Sequence, residues 1–261
     1  MQWATAARRK QDRELGPEDP RVFAWNGEVY AVYNAPPTHS GDDSGGHRIV
    51  RSMKLQRLFP DDGKITSLDL IDGKMERYEK NWSPLAPDPT APDSRYLFSR
   101  NVEPHEVLSC SRLDGGCAAT NKTENSPFWS KFMQLWGLRG LHLGTNAVAL
   151  PNGKLVALFH GLPAGNSRDY LNFVYVVEAS APHAIIGVGE EPLRLPLGSV
   201  GSTGYAFSSN LAWVDGMLVV SYGVKDRTSN FYVLDPQTLL QNIQSTASTA
   251  VAVKGSVAAG T

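Results

Sequence analysis

The sequence predicts an all-β protein and, within that class, a β-propeller. Two observations carry the prediction. The first is a recurring hairpin. Residues 22–33 read as strand, Asn26-Gly27 turn and strand. Residues 145–160 repeat the pattern around Asn152-Gly153, and residues 210–222 repeat it around Asp215-Gly216. Asn-Gly and Asp-Gly tolerate the positive φ values that a tight hairpin turn needs. The second observation is that no amphipathic helical run of any length precedes Gln237. The hairpin recurs about every sixty residues, a period that favours propeller blades over a sandwich. Each blade is expected to be a four-stranded antiparallel sheet beside a central channel.

Taken in order, residues 1–15 are polar and carry Arg8, Arg9, Lys10 and Arg13. They lack the apolar core of a secretory signal, so a short helix or the remnant of a longer chain is expected there and a cytoplasmic location is the default. The propeller domain is expected over residues 16–243. Pro20 has no amide proton and suits the entry of a strand, which leaves Asp19 at a strand mouth, where a carboxylate can face a cavity. Residues 35–46 and 84–93, the latter with four prolines, read as loops on a propeller face, where ligands are contacted. Further strands are expected at 49–58, 64–70, 95–99, 170–178 and 231–234. Residues 244–261 are Ala, Ser, Thr, Val and Gly with little else, and read as a flexible tail.

Charge is balanced, with 25 basic and 26 acidic residues and a pI near 6.6. That gives no electrostatic case for nucleic acid or an anionic membrane. No apolar run is long enough to span a bilayer. Six Trp suit sheet packing and sugar stacking alike. The two cysteines, Cys110 and Cys117, are spaced too loosely for a zinc pair, and no metal-ligand set is expected. They form a hairpin disulfide in an oxidising compartment or stay free thiols in the cytosol. Asn81-Trp82-Ser83 and Asn121-Lys122-Thr123 both fit the N-glycosylation triplet, which has meaning only in a secreted chain.

Each hairpin begins or ends on an unexpectedly polar group. Asp19 opens the first block and Glu79-Lys80-Asn81-Trp82 the second. Phe159-His160-Gly161 closes the third, and Ser221-Tyr222-Gly223-Val224-Lys225-Asp226 closes the fourth. Corresponding ends of propeller blades converge on one channel mouth. Singly, each residue has an ordinary structural reading: Lys80 over Trp82, His160 half-buried at a strand end, Asp226 in a turn, His142 at the surface or structural. Their joint occurrence is what points to a site.

Glu18-Asp19-Pro20-Arg21-Val22, the Lys80 segment, Phe159-His160-Gly161 and Tyr222-Gly223 with Asp226 resemble, in that order, the signatures of glycoside hydrolase family 130. The family comprises phosphorylases and hydrolases, five-bladed β-propellers acting on β-mannosides, with related mannosyltransferase-phosphorylases. The resemblance covers residues 16–240. It implies that Asp19 is the single catalytic acid of an inverting displacement. It implies inorganic phosphate as co-substrate, held by Lys80, His160 and an arginine, Arg51 with Arg48 as rival, and no other cofactor. Asp226 is the implied sugar-hydroxyl ligand, Asn34, Trp82, His105 and Tyr222 are further candidate sugar contacts, His105 reading equally as a loop residue after Pro104, and an oligosaccharide or sugar phosphate is the implied partner. Only eighteen residues precede Asp19, where the family carries a whole blade, so the resemblance implies an incomplete propeller or a different closure. The alternative readings are a non-catalytic sugar-binding propeller and a protein-interaction propeller.

Overall fold

The computed structural model describes residues 16–36, 51–61, 63, 67–72, 79–165, 169–197 and 205–246. The expectations for residues 1–15, for Arg48, for most of the loop at 35–46 and for the tail beyond Thr246 lie outside the described residues.

The predicted hairpins form. β1 (Glu18–Trp25) and β2 (Glu28–Ala35) pair across a turn in which Asn26 and Gly27 have φ of 51° and 75°. With β3 (Ser52–Leu58) and β4 (Ser67–Leu70) they make the first sheet, in order β1-β2-β3-β4. The second sheet is β5 (Ser83–Pro87), β6 (Arg95–Asn101), β7 (His105–Ser111) and β8 (Cys117–Thr123), also in sequence order. In the third, β9 (Leu138–Leu143) and β10 (Val148–Ala149) pair with opposite halves of β11 (Leu155–Pro163), so together they are one interrupted strand. β12 (Leu171–Val177), β13 (Ile185–Gly189) and β17 (Ile243–Ser245) continue that sheet outward. The fourth is β14 (Ala206–Val214), β15 (Met217–Val224) and β16 (Thr228–Leu234). Asp215 and Gly216, with φ of 48° and 82°, make its first turn.

These are four antiparallel blades of a propeller. The described chain supplies strands for four sheets where the family resemblance implied five. The third sheet has six strands and the fourth three, rather than four each. The expected loop at 84–93 gives up its first residues to β5. Pro84 and Pro87 fit there because β5 is an edge strand, where a missing N–H costs no ladder bond. Gln244 and Ser245, read with the tail, pair with β13.

One helix was not expected. α1 (Ser126–Trp136) begins with a proline in its first turn and ends on Gly137 at φ 60°, a conformation glycine adopts without strain. It buries Trp129 and Phe132 against Phe159 and Phe173. A second helix, α2 (Pro236–Gln241), is capped by the Asp235 carboxylate, which accepts from the Gln237 and Thr238 amides. Cys110 and Cys117 face each other across β7 and β8 and are joined in a disulfide.

Three apolar clusters join the blades in turn. Trp25, Trp82, Phe98 and their neighbours lie between sheets one and two. Trp129, Phe159, Phe173 and Tyr175 join sheets two and three. Leu158, Leu211, Leu218 and Val220 join sheets three and four. Truncating a leucine there to alanine costs about 2–5 kcal/mol. Among the described residues no such cluster joins sheet four to sheet one. Val22 of β1 and Phe231 and Val233 of β16 are exposed.

Polar contacts complete the circuit. The Ser83 hydroxyl donates to the Thr145 carbonyl, and the Ala147 amide donates to the Pro84 carbonyl at 2.7 Å. Asn146 exchanges two bonds of 2.9 Å with the Leu211 backbone. The Val22 amide donates to the Asn210 carboxamide, closing sheet four on sheet one. Each of these residues lies on or beside the first strand of its sheet, and each of those strands is irregular. Register slips between Glu18 and Arg21, between Pro84 and Ala86 and between Ser208 and Asn210. The fourth irregularity is the break between β9 and β10. Bulges re-aim side chains and gather near functional sites.

Candidate functional site

Arg21 stands where the four blades meet. It is fully buried, on β1 just past the first bulge. Its Nε donates to the Gly144 carbonyl at 2.6 Å, and one Nη donates to the Asp19 carbonyl at 2.8 Å. The other Nη reaches the Asn81 carboxamide and the Leu143 carbonyl, both at 3.2 Å. The guanidinium carbon lies 5.9 Å from the centre of the Phe207 ring on β14. One side chain therefore touches sheets three and four and the segment that leads into sheet two, from its own place on sheet one. None of its hydrogen-bond acceptors is a carboxylate. Burial lowers its pKa to about 10, opposed by the nearby Asp19 charge, so it stays protonated at neutral pH. A buried positive charge without a bonded carboxylate is expensive, and here it is compensated by carbonyl dipoles.

Gly144 is needed for this contact. A Cβ there would sit 2.9 Å from both the Leu158 carbonyl oxygen and the Ser208 hydroxyl. The Leu158 carbonyl already accepts from the amides of Gly144 and Thr145.

Asp19 is half-buried at the mouth, in the left-handed region at φ 53°. It lines a groove of about 610 Å³ with Pro20, Phe207, Ser221, Tyr222 and Phe231. Its segment is braced from the other side by Arg51, which donates to Glu18 Oε1 at 2.8 Å, the Asn34 carboxamide at 2.6 Å and the Gly16 carbonyl at 3.1 Å. Asn34 donates in turn to the Glu18 carbonyl at 3.3 Å. The structure thus brings Arg51 and Asn34 together beside Asp19. Both side chains bond to the chain around Glu18, which makes them supports of the acid's segment.

Lys80 lies between two anchored residues. The Glu79 carboxylate accepts from Arg100 and, at 2.9 Å, from the Trp82 indole. Asn81, at φ 63°, accepts from Arg21. Lys80 itself is exposed. Burial lowers the pKa of both His142 and His160, and the Lys80 charge lowers each further. His160, on β11 opposite His142 on β9, is buried and stacked on it at 5.6 Å between centroids. Tyr170 and Phe207 lie at 4.9 and 5.2 Å from the same ring. Burial first, and then the charges of His142, Arg21 and Lys80, hold His160 well below the ordinary histidine range. It is a neutral imidazole at pH 7, so it offers an anion a hydrogen bond and no charge. Its Nδ1 is buried without a protein partner.

The other expected sugar contacts are distributed differently. Trp82 is wholly buried in the apolar cluster between sheets one and two, beneath Arg100, so it has no face to offer a sugar. His105 is also buried, bonded to the Ser99 hydroxyl at 2.9 Å, and burial lowers its pKa to about 4. It makes none of the contacts of the Arg21 cluster. Tyr222 is packed in the cluster between sheets three and four, and its hydroxyl donates to the Pro196 carbonyl at 2.9 Å. Asp226 is exposed and accepts from the Tyr205 hydroxyl. Tyr205 lies 5.3 Å from Tyr170, so Asp226 does belong to the rim that includes His160. Sequence reasoning assigned no role to Arg21, Asn81, Tyr170 or Tyr205 and placed His142 outside the site. Among the described residues no group of three or more His, Cys, Asp or Glu could hold a metal ion.

No family model matches the chain. Over 110 residues, 39% of its length, it is 30% identical to β-mannosyltransferase 2 of Komagataella phaffii. The match spans 15% of that relative's length. Among solved structures, a β-1,2-mannobiose phosphorylase from Listeria innocua, in complex with β-1,2-mannobiose, superposes with a TM-score of 0.59 at 14% identity, covering 87% of this chain and 60% of the other. The fold is the same. A second structure superposes with a TM-score of 0.57 at 16% identity, over 85% of this chain and 66% of that one. It belongs to work on glycoside hydrolases, within the GH130 family of mannoside phosphorylases, that target β-1,2-mannosidic linkages in Candida mannan.

Proposed function

We propose that the chain is a carbohydrate-active enzyme that cleaves β-mannosides by inverting phosphorolysis or builds them in reverse from mannose 1-phosphate. The observation that carries this reading is the Arg21 cluster. It ties the Asp19 segment to those of Lys80 and His160, which are 61 and 141 positions further along the chain. A proton donor, an exposed ammonium and a buried guanidinium around one channel mouth suit a reaction that protonates a leaving oxygen while an anion attacks. The fold shared with the mannoside phosphorylases and the sequence match to a β-mannosyltransferase support the same substrate class.

In the cleaving direction Asp19 delivers its proton to the glycosidic oxygen, directly or through a sugar hydroxyl, as the bond from that oxygen to C1 breaks. Phosphate attacks C1 from the opposite face, and the C1–O bond to phosphate forms with inversion. Lys80 supplies a compact charge to the phosphate. His160 supplies an N–H, and Arg21 a fixed positive potential from beneath, little screened because it is buried. Tyr170, Tyr205 and Phe207 offer ring faces to a pyranose, and Asp226 an acceptor for its hydroxyls.

The test is incubation with mannose 1-phosphate and a panel of acceptor sugars, with released phosphate as the readout. Release that depends on acceptor and is lost in Asp19→Asn is expected. Sugar binding with no release would leave a non-catalytic binding propeller as the better reading.

A further inference from the structure

We propose that Asn121 is an N-glycosylation site and that Asn81, which carries the same three-residue signal, is not. The sequence presents two triplets and no means of choosing between them. The structure separates them by what surrounds each carboxamide.

Asn81 is buried, in the left-handed region, and its carboxamide oxygen accepts from Arg21 at the centre of the propeller. A glycan on its Nδ2 has no path outward. A chain modified there could not bring Arg21 into contact with its partners on the other sheets. Asn121 is placed differently. It lies on β8, the edge strand of the second sheet. It faces Val107, where the register between β7 and β8 slips. The Thr120 hydroxyl donates to the Val107 carbonyl at 3.1 Å. The Asn121 amide makes only a long bond, 3.4 Å, to its neighbour Thr120, in an exposed setting. Asn121 is half-buried on the strand, with Thr123 of its triplet buried, and its Nδ2 sits at an exposed bond to an immediate neighbour that it can give up.

A second observation on the same hairpin points to the same compartment. Cys110 and Cys117 are the only cysteines of the chain, and they are joined across β7 and β8. Such bonds form and persist where the surroundings are oxidising, and N-linked glycans are added to chains entering such compartments. The donor is of the polyprenyl diphosphate-oligosaccharide class, used by a transferase of that compartment. The bond from Asn121 Nδ2 to sugar C1 forms, the C1–O bond to the donor's diphosphate breaks, and polyprenyl diphosphate leaves with the electron pair. One amide proton passes to the transferase. The glycan would then cover an open sheet edge, which otherwise offers unpaired backbone groups to another chain.

This inference does not rest on the proposed reaction. The test is expression of the full chain behind a cleavable leader in a eukaryotic secretory host, followed by mapping of peptides released with and without N-glycanase. One glycan is expected, on Asn121, with the Asn81 peptide unmodified in the folded, secreted fraction. Asn121→Gln should remove the glycan shift on a gel and leave turnover and melting unchanged. Thiol alkylation before reduction should label neither cysteine. An unmodified Asn121 in the secreted protein, or in the cell-retained pool if none is secreted, overturns the proposal. So does a glycan on Asn81 in folded protein.

Discussion

The guanidinium of Arg21, on the first sheet, and the carboxamide of Asn81, at the entrance to the second, meet at 3.2 Å across 60 positions of sequence. That contact belongs to a set of four through which one side chain sets the relative positions of Asp19, Lys80 and the β9 end that carries His142. Replacing Arg21 by leucine should cost about 3–5 kcal/mol, because buried carbonyls lose their donor. Arg21→Lys keeps the charge without the fork and should recover only part of the loss. Urea midpoints of the three proteins measure this, and an unchanged midpoint for Arg21→Leu would remove Arg21 from the centre of the fold.

Asp19→Asn keeps the shape of the side chain and removes the proton donor. Turnover should fall roughly a hundred- to ten-thousand-fold, with thermal melting nearly unchanged. Undiminished turnover in a folded variant would place the chemistry elsewhere.

Lys80 is exposed and has no ion-pair partner among the described residues, so its removal should not be felt in folding. Lys80→Ala should raise the phosphate concentration needed for half-maximal cleavage about tenfold, which corresponds to about 1.4 kcal/mol. Initial rates across a phosphate series, at fixed sugar, decide the matter. A variant with an unaltered phosphate requirement would exclude Lys80 from the anion site.

Of the three buried histidines, His105 and His160 are held furthest from the ordinary range and give stability a distinct pH dependence. The folded-state pKa of His105 is about 4 and that of His160 lies well below 6.5. At pH values well above 6.5 both are neutral, folded or unfolded, and stability is independent of their titration. As pH falls below about 6.5 the unfolded chain binds protons that the folded chain refuses, so stability drops. For His105 the loss continues down to about pH 4. The slope for each should approach 1.4 kcal/mol per pH unit. Denaturation at a series of pH values checks this, and His105→Gln should flatten the slope. A slope indifferent to that substitution would contradict the assignment.

The turns were legible because their chemistry is local. Asn26-Gly27 and Asp215-Gly216 adopt positive φ for reasons contained in the dipeptides themselves. The missing proton of Pro20 suggested a strand entry with Asp19 at its mouth, but both residues lie inside β1, in the irregularity between Glu18 and Arg21, where the ladder is already interrupted. α1 had a readable signal. Phe128, Trp129, Phe132, Met133 and Trp136 recur at helical spacing between a proline and Gly137, but the surrounding β pattern outweighed them. Trp82 looked like a sugar platform because an aromatic beside a lysine gives no hint of which way it faces. The hub itself left no local trace. Nothing near Arg21 in sequence says that its partners are Asn81, Leu143 and Gly144, since those contacts exist only once the sheets have assembled.

The bond from the Val22 amide to Asn210 spans 188 positions. During synthesis the first of these residues leaves the ribosome long before the second exists. At about 5–20 residues per second, the delay is roughly 10–40 s. Through that interval β1 can complete its own sheet and pack on the second, while its outer flank and the Arg21 charge wait for strands not yet made. The nascent chain thus presents an unclosed arc of sheets to its surroundings before the last sheet arrives. A chaperone that shields β1 until Asn210 has emerged should raise the yield of folded protein more than one that acts on the finished chain.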